Sequence, residues 1–129
     1  MSVRSQPLRI AIVAGEASGD NLAAGLVRAI RDRLPDTVFE GIAGPRMKEA
    51  GCHSLFPMQE LAVMGLVEVV EHLPRLLSIR RQLRRHFLHN PPDIFIGVDA
   101  PDFNLGLEHD LKHAGITLSL IHISEPTRR

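Results

Sequence analysis

Apolar residues fall along the chain in blocks of two kinds. Ile10-Ala11-Ile12-Val13-Ala14 and Ile94-Phe95-Ile96-Gly97-Val98 run without polar alternation, which predicts strands covered on both faces, as in parallel sheets. From Leu22 to Ile30 the apolar positions recur at helical spacing, and a helix is predicted over about Asp20 to Arg33, ended by Leu34-Pro35-Asp36. Thr37 to Ala43 is rich in β-branched and aromatic residues and reads as a second strand, with His53 to Phe56 as a short third. Between them a short helix from Pro45 to Ala50 starts at Gly44-Pro45 and stops at Gly51. A further helix runs from Pro74 to about His89, with Leu76, Ile79, Leu83 and Phe87 as its apolar stripe, Leu77 widening that stripe, and Asn90-Pro91-Pro92 ending it. Leu105 to His113 reads as the last helix, stopped at Gly115. Strands and helices alternate, so the expected fold class is α/β, a parallel sheet with right-handed crossovers and helices on both faces.

Two stretches leave alternatives open. Leu61 to Val70 is apolar on nearly every side, interrupted by Gly65 and Glu68. A helix of that kind is either a buried crossover or a greasy surface that docks on lipid. On the following helix Arg75, Arg80, Arg81, Arg84, Arg85 and His86 flank the stripe; they suit a solvated outer face or a face set against anionic headgroups.

The candidate chemistry sits in the loops beyond two strand ends. After the first strand comes Gly15-Glu16-Ala17-Ser18-Gly19-Asp20, whose glycines permit a tight turn and whose Ser18 or Asp20 is expected to cap the following helix. It lacks the lysine of a Walker loop and the spacing of a dinucleotide fingerprint. After the strand ending at Val98 comes Asp99-Ala100-Pro101-Asp102-Phe103-Asn104. In a parallel sheet both loops leave the same edge and face one crevice. Asp99, fixed at a strand end, is the expected general base. Asp102 and Asn104 are expected to bond the loop or a substrate hydroxyl, with an Asx-type helix cap as the plain alternative for Asp102.

Composition narrows the field. The 129 residues hold 15 Lys plus Arg against 15 Asp plus Glu, so no net charge steers the chain to nucleic acid. Trp and Tyr are absent, which removes the stacking residues of a single-strand binder. The single cysteine, Cys52, excludes an internal disulfide and reads as a small buried apolar residue, and no Cys/His group has zinc spacing. The first residues lack the apolar core of a signal peptide, and no run reaches the ~18 residues of a membrane span. The expected location is the cytoplasm, with any membrane contact peripheral.

As whole strings, these loops are specific. Ala14-Gly15-Glu16-Ala17-Ser18-Gly19-Asp20, then Gly44, Pro45 and Met47, then Val63-Met64-Gly65 with Glu68-Val69, and Asp99 to Asn104 together resemble the lipid-A-disaccharide synthase family, bacterial two-domain glycosyltransferases. The resemblance covers about Arg9 to Thr117, the family's first third. It implies the Rossmann-like, acceptor-side half of a GT-B enzyme that moves 2,3-diacylglucosamine from UDP to 2,3-diacylglucosamine 1-phosphate with inversion. In that picture Asp99 is the catalytic base, and Gly15, Glu16, Ser18, Gly19, Asp20, Asp102 and Asn104 contact substrate. Val63, Met64, Leu66 and Val67 face lipid at the cytoplasmic side of the inner membrane. No cofactor or metal is implied, and the nucleotide belongs mainly to a second domain, so the fragment is expected to be silent alone. The expected organisation is an extension at 1–8, the domain at 9–117, and an unrelated tail at 118–129, which resembles translated sequencing adapter yet keeps strand-like alternation. Rival readings are the acceptor domain of another lipid-linked-sugar transferase, or a receiver-like module binding Mg²⁺ through Glu16, Asp20 and Asp99.

Overall fold

The computed structural model describes residues 7–61, 66–98, 107, 109, 111–113 and 122–123, with side chains described over 7–61, 73–98, 107, 109 and 111–113. In chain order the elements are β1 (Arg9–Ala14), α1 (Ala17–Arg33), β2 (Val38–Ala43), α2 (Pro45–Glu49), β3 (Cys52–Pro57), a 3₁₀ turn (Met58–Glu60), α3 (Leu66–His89), β4 (Ile94–Val98) and β5 (His122–Ile123). The strands form one sheet in the order β3-β2-β1-β4-β5, and every pairing is parallel. The two-residue β5 lies within the stretch set apart as a tail and pairs with Gly97 and Val98.

The unbroken apolar runs have a direct physical cause. Ile10, Ile12 and Ala14 of β1 join Ala23, Ala24 and Val27 of α1 and Met47 of α2 in one core. Ala11 and Val13, pointing the other way, join Ile79, Leu83 and Phe87 of α3 with Leu107 and Leu111 in a second. β4 divides likewise, Ile96 and Val98 to the first core and Phe95 to the second. A central strand with helices on both faces has no solvent side on which to place polar residues. Each fully buried Ile or Phe here contributes about 1.5–3 kcal/mol.

β2 approaches β1 closely: a Cβ at Gly41 would fall onto the Ile12 carbonyl. The β2–β3 register shifts beside it, pairing Gly41 with Ser54 and Ile42 with Phe56. Ser54 Oγ repairs that ladder, accepting from Ala43 N at 2.9 Å and donating to the Phe56 carbonyl at 2.7 Å. At the opposite, amino edge of the sheet, Glu40 Oε1 lies 2.7 Å from Arg9 Nη2 and 2.9 Å from His86 Nε2. Arg9 and Asp93 also exchange bonds, Arg9 N to Asp93 Oδ2 at 2.8 Å and Asp93 N to the Arg9 carbonyl at 2.7 Å. Strands β1, β2 and β4 and the end of α3 are thereby pinned away from the loops of interest.

Two expectations about the helices are corrected. The helix read as starting at Pro74 is one 24-residue helix from Leu66, with Pro74 inside it. Proline removes one N–H from the ladder, and the packed stripe Ile79, Leu83 and Phe87, each fully buried, holds the helix together beyond it. Leu77 does not widen that stripe, since it is 43% exposed. The Leu61 to Val70 question, with the lipid-contact assignments Val63, Met64, Leu66 and Val67, lies outside the described side chains. No helix among the described residues is long and apolar enough to cross a membrane.

Candidate functional site

Ala14 of β1 pairs with Val98 of β4, so the Gly15 turn and the chain leaving Val98 depart from one level of the carboxyl edge. Asp99, Asp102 and Asn104 lie outside the described residues. The described part of the site is therefore the turn after β1, the start of α1, and the segment after β2.

The turn is built differently from its expected form. α1 begins at Ala17, three residues before the predicted start, and its N-cap residue is Glu16, in extended conformation and with no side-chain cap bond. Asp20 N donates to the Glu16 carbonyl at 2.9 Å, an ordinary helical bond. Neither Ser18 nor Asp20 is the N-cap, because both already lie within the first turn. Gly15, Gly19 and Asp20 are buried, Ser18 is half-buried, and Glu16 is exposed.

The carboxylate of Asp20 is spent on another helix. Its Oδ2 accepts from Arg46 N and its Oδ1 from Met47 N, each at 2.9 Å. These are the second and third residues of α2, whose N-cap is Gly44 and whose first residue is Pro45. The cap glycine has no side chain to satisfy those amides, and Pro45 has no N–H to satisfy. A remote aspartate does what an N-cap side chain would do, and places its negative charge at the positive end of α2. Asp20 is 2% exposed. A bidentate, charge-assisted arrangement of this kind contributes about 1.5–3 kcal/mol per bond. Asp20 is buried with each oxygen already accepting an amide, an environment unlike the open carboxylate cluster that the receiver-like reading needs.

Beside the clamp lies a cleft of about 210 Å³ lined by Ala17, Asp20 and Asn21 from α1, Pro45 and Arg46 from α2, and Met58. Sequence reasoning overlooked Asn21, Arg46 and Met58. The Gly-Pro start of α2, with no polar side chain at its cap, was the one signal that its amides needed an acid from elsewhere. Behind α2, Cys52 is buried, and burial, helped by Glu40 and then Asp20, pushes its thiol up to about 12. It is an inert wall of the core. Among the described residues no group of three or more His, Cys, Asp or Glu is placed to hold a metal ion.

Comparison with known proteins adds an independent line. The family model described as lipid-A-disaccharide synthetase matches residues 10–127. The lipid-A-disaccharide synthase of Aeromonas hydrophila is 61% identical over 121 residues, covering 94% of this chain and 31% of that protein. That of Pseudoalteromonas translucida is 60% identical over 116 residues, covering 90% and 30%. The chain thus spans about a third of the length of these curated relatives. Among solved structures, the glycosyltransferase of kitacinnamycin superposes with a TM-score of 0.64 at 20% identity, over 91% of this chain and 30% of that one, a likeness of fold. With the Gly15 turn on the carboxyl edge of a parallel sheet and a family match across nearly its whole length, the chain belongs to the lipid-A-disaccharide synthase family.

Proposed function

We propose that this chain is the acceptor-side portion of an inverting glycosyltransferase that joins two acylated glucosamines. The donor is 2,3-diacylglucosamine on UDP, and the acceptor is 2,3-diacylglucosamine 1-phosphate. Asp99 takes the proton of the acceptor's 6-hydroxyl as that oxygen attacks the donor's anomeric carbon. The bond from that carbon to UDP breaks on the opposite side, so configuration inverts and UDP leaves with the electron pair. Gly15, Glu16, Ser18, Gly19, Asp102 and Asn104 shape the acceptor's surroundings. Asp20 serves from behind, through its clamp on α2. The nucleotide is held by the part of the enzyme beyond this third, so the 129 residues alone are silent. The observation that carries the reading is the Ala14–Val98 register, which starts both signature loops from one edge.

Docking on the cytoplasmic face of the inner membrane belongs to the same reading. Val63, Met64, Leu66 and Val67 are its assigned lipid contacts, and the exposure of Leu73, Leu77 and Leu88, 47%, 43% and 43%, on one side of α3 supports it. Arg84 lies seven residues after Leu77 and four before Leu88, so it shares that side of the helix and is exposed as well.

The test joins residues 1–117 to the remaining two-thirds of the Aeromonas relative and measures disaccharide formation. Asp99→Asn keeps shape but removes the base, and kcat is expected to fall about 10²–10⁴-fold with a smaller change in the acceptor's KM. Near-normal turnover of the variant would place the base elsewhere. An anomeric centre retained in the product would rule out the single displacement.

A further inference from the structure

The geometry points to the cleft between α1 and α2 as the seat of a sugar phosphate monoester, with Arg46 as its phosphate contact and Asn21 as a hydrogen-bonding partner. The inference rests on the function proposed above and extends it to residues which that reading leaves unused.

Four observations carry it. The cleft opens at the carboxyl edge, beside the Gly15 turn, and its described lining combines apolar surface from Ala17, Pro45 and Met58 with the polar side chains of Asn21, Arg46 and Asp20. The guanidinium of Arg46 is exposed and paired with no acid among the described residues, whereas Arg9 and Arg75 are both in ion pairs. The carboxylate of Asp20 is engaged by the amides of Arg46 and Met47, which offset part of its charge towards the cleft. That same clamp fixes the backbone from which the Arg46 side chain springs, so the cation is anchored at its base while its fork stays available. A planar guanidinium on a fixed backbone suits bidentate recognition of a phosphate.

The scale fits as well. β2 and β4 flank β1, so their carboxyl ends are two strand spacings, about 10 Å, apart. One hexose with its phosphate bridges such a distance, which puts the phosphate on the β2–α2 side and the far end of the sugar towards β4. A nucleoside diphosphate would present the same chemistry but a longer body, and the cleft is small for it.

Heteronuclear NMR titration of the 129-residue chain tests this with three probes: glucosamine 1-phosphate, glucosamine and UDP. The side-chain signals of Arg46 and Asn21 are expected to move with glucosamine 1-phosphate and to stay with glucosamine. Arg46→Gln is expected to weaken binding by at least about tenfold, as the loss of a charged hydrogen-bond partner implies, and Arg46→Lys to recover part of it. The variant folds, because the clamp uses the backbone N–H of residue 46 and its side chain is exposed. Unchanged binding in Arg46→Gln, absence of any Arg46 response, or a stronger response to UDP than to the monoester would overturn the inference. In the completed enzyme, Arg46→Gln is expected to raise the acceptor's KM more than it lowers kcat. An unchanged KM with normal turnover would sink this site and leave the proposed function intact. A completed enzyme that makes no disaccharide, while Arg46-dependent binding persists, would sink the function and leave the site.

Discussion

A methyl group on Gly44 would stand 2.5 Å from the carboxyl carbon of Asp20 and 2.6 Å from its Oδ2. The α2 cap is therefore a glycine because an aspartate 24 positions earlier occupies the space of its side chain. Gly44→Ala is expected to cost about 1–3 kcal/mol as an overpacking change, and Asp20→Asn a similar amount, because its NH₂ group would oppose one of the two amides. The double variant should lose less than the sum, since both act on one contact. Urea midpoints of the three variants check this; strict additivity would mean that the two residues are not coupled.

Cys52 sets an alkaline limit. Its thiol is raised from 9.0 to about 12 in the fold. The folded state thus holds this proton more tightly than the unfolded chain does. Stability from this group is complete below pH 9 and declines as pH rises towards 12. A falling thermal midpoint across that range is expected, and Cys52→Ala should flatten it. At pH 8 a thiol reagent should modify Cys52 only after denaturation; fast labelling of the native chain would contradict its burial.

Glu40 is expected to matter more than its single negative charge suggests. It receives both Arg9 and His86 with its side chain 15% exposed. Glu40→Gln should lower stability by about 1–3 kcal/mol, the range for a partly buried charged bond. The exposed Arg75–Glu60 pair at 2.9 Å is the control: Arg75→Ala should leave the urea midpoint unmoved, as solvated pairs usually do. Equal losses in both variants would refute the distinction.

The outer side of α3 gives a membrane test that leaves the core alone. Replacing Leu73, Leu77 and Leu88 together by Ser should reduce recovery with phosphatidylglycerol vesicles in a flotation assay, without lowering the thermal midpoint, because all three are exposed. Unchanged recovery would count against docking through this face.

How much of this was legible in the sequence depended on the range of the interaction that decided it. β1 and β4 could be read because two-sided burial writes itself as a continuous apolar run. The ends of α2 could be read from Pro45 and Gly51, since the signals lie within the helix or next to it. The continuation of α3 through Pro74 could not, because a proline at the head of a helical pattern reads locally as the first residue of the helix. The partner of Asp20 was hidden by distance along the chain: Arg46 and Met47 are 26 and 27 positions away. Local reading assigned the aspartate to the nearest helix start.

The position of β1 in the middle of the sheet carries a consequence for biosynthesis. Its second neighbour, β4, follows 84 positions later, the separation also spanned by the Arg9–Asp93 bond. At 5–20 residues per second on the ribosome, that interval lasts on the order of 4–17 s. Throughout it, a strand whose both faces are apolar has one backbone edge without its partner, a template for pairing with other chains. The nascent polypeptide needs shelter during those seconds, and any pause in translation between Ala14 and Ile94 lengthens its exposure to aggregation.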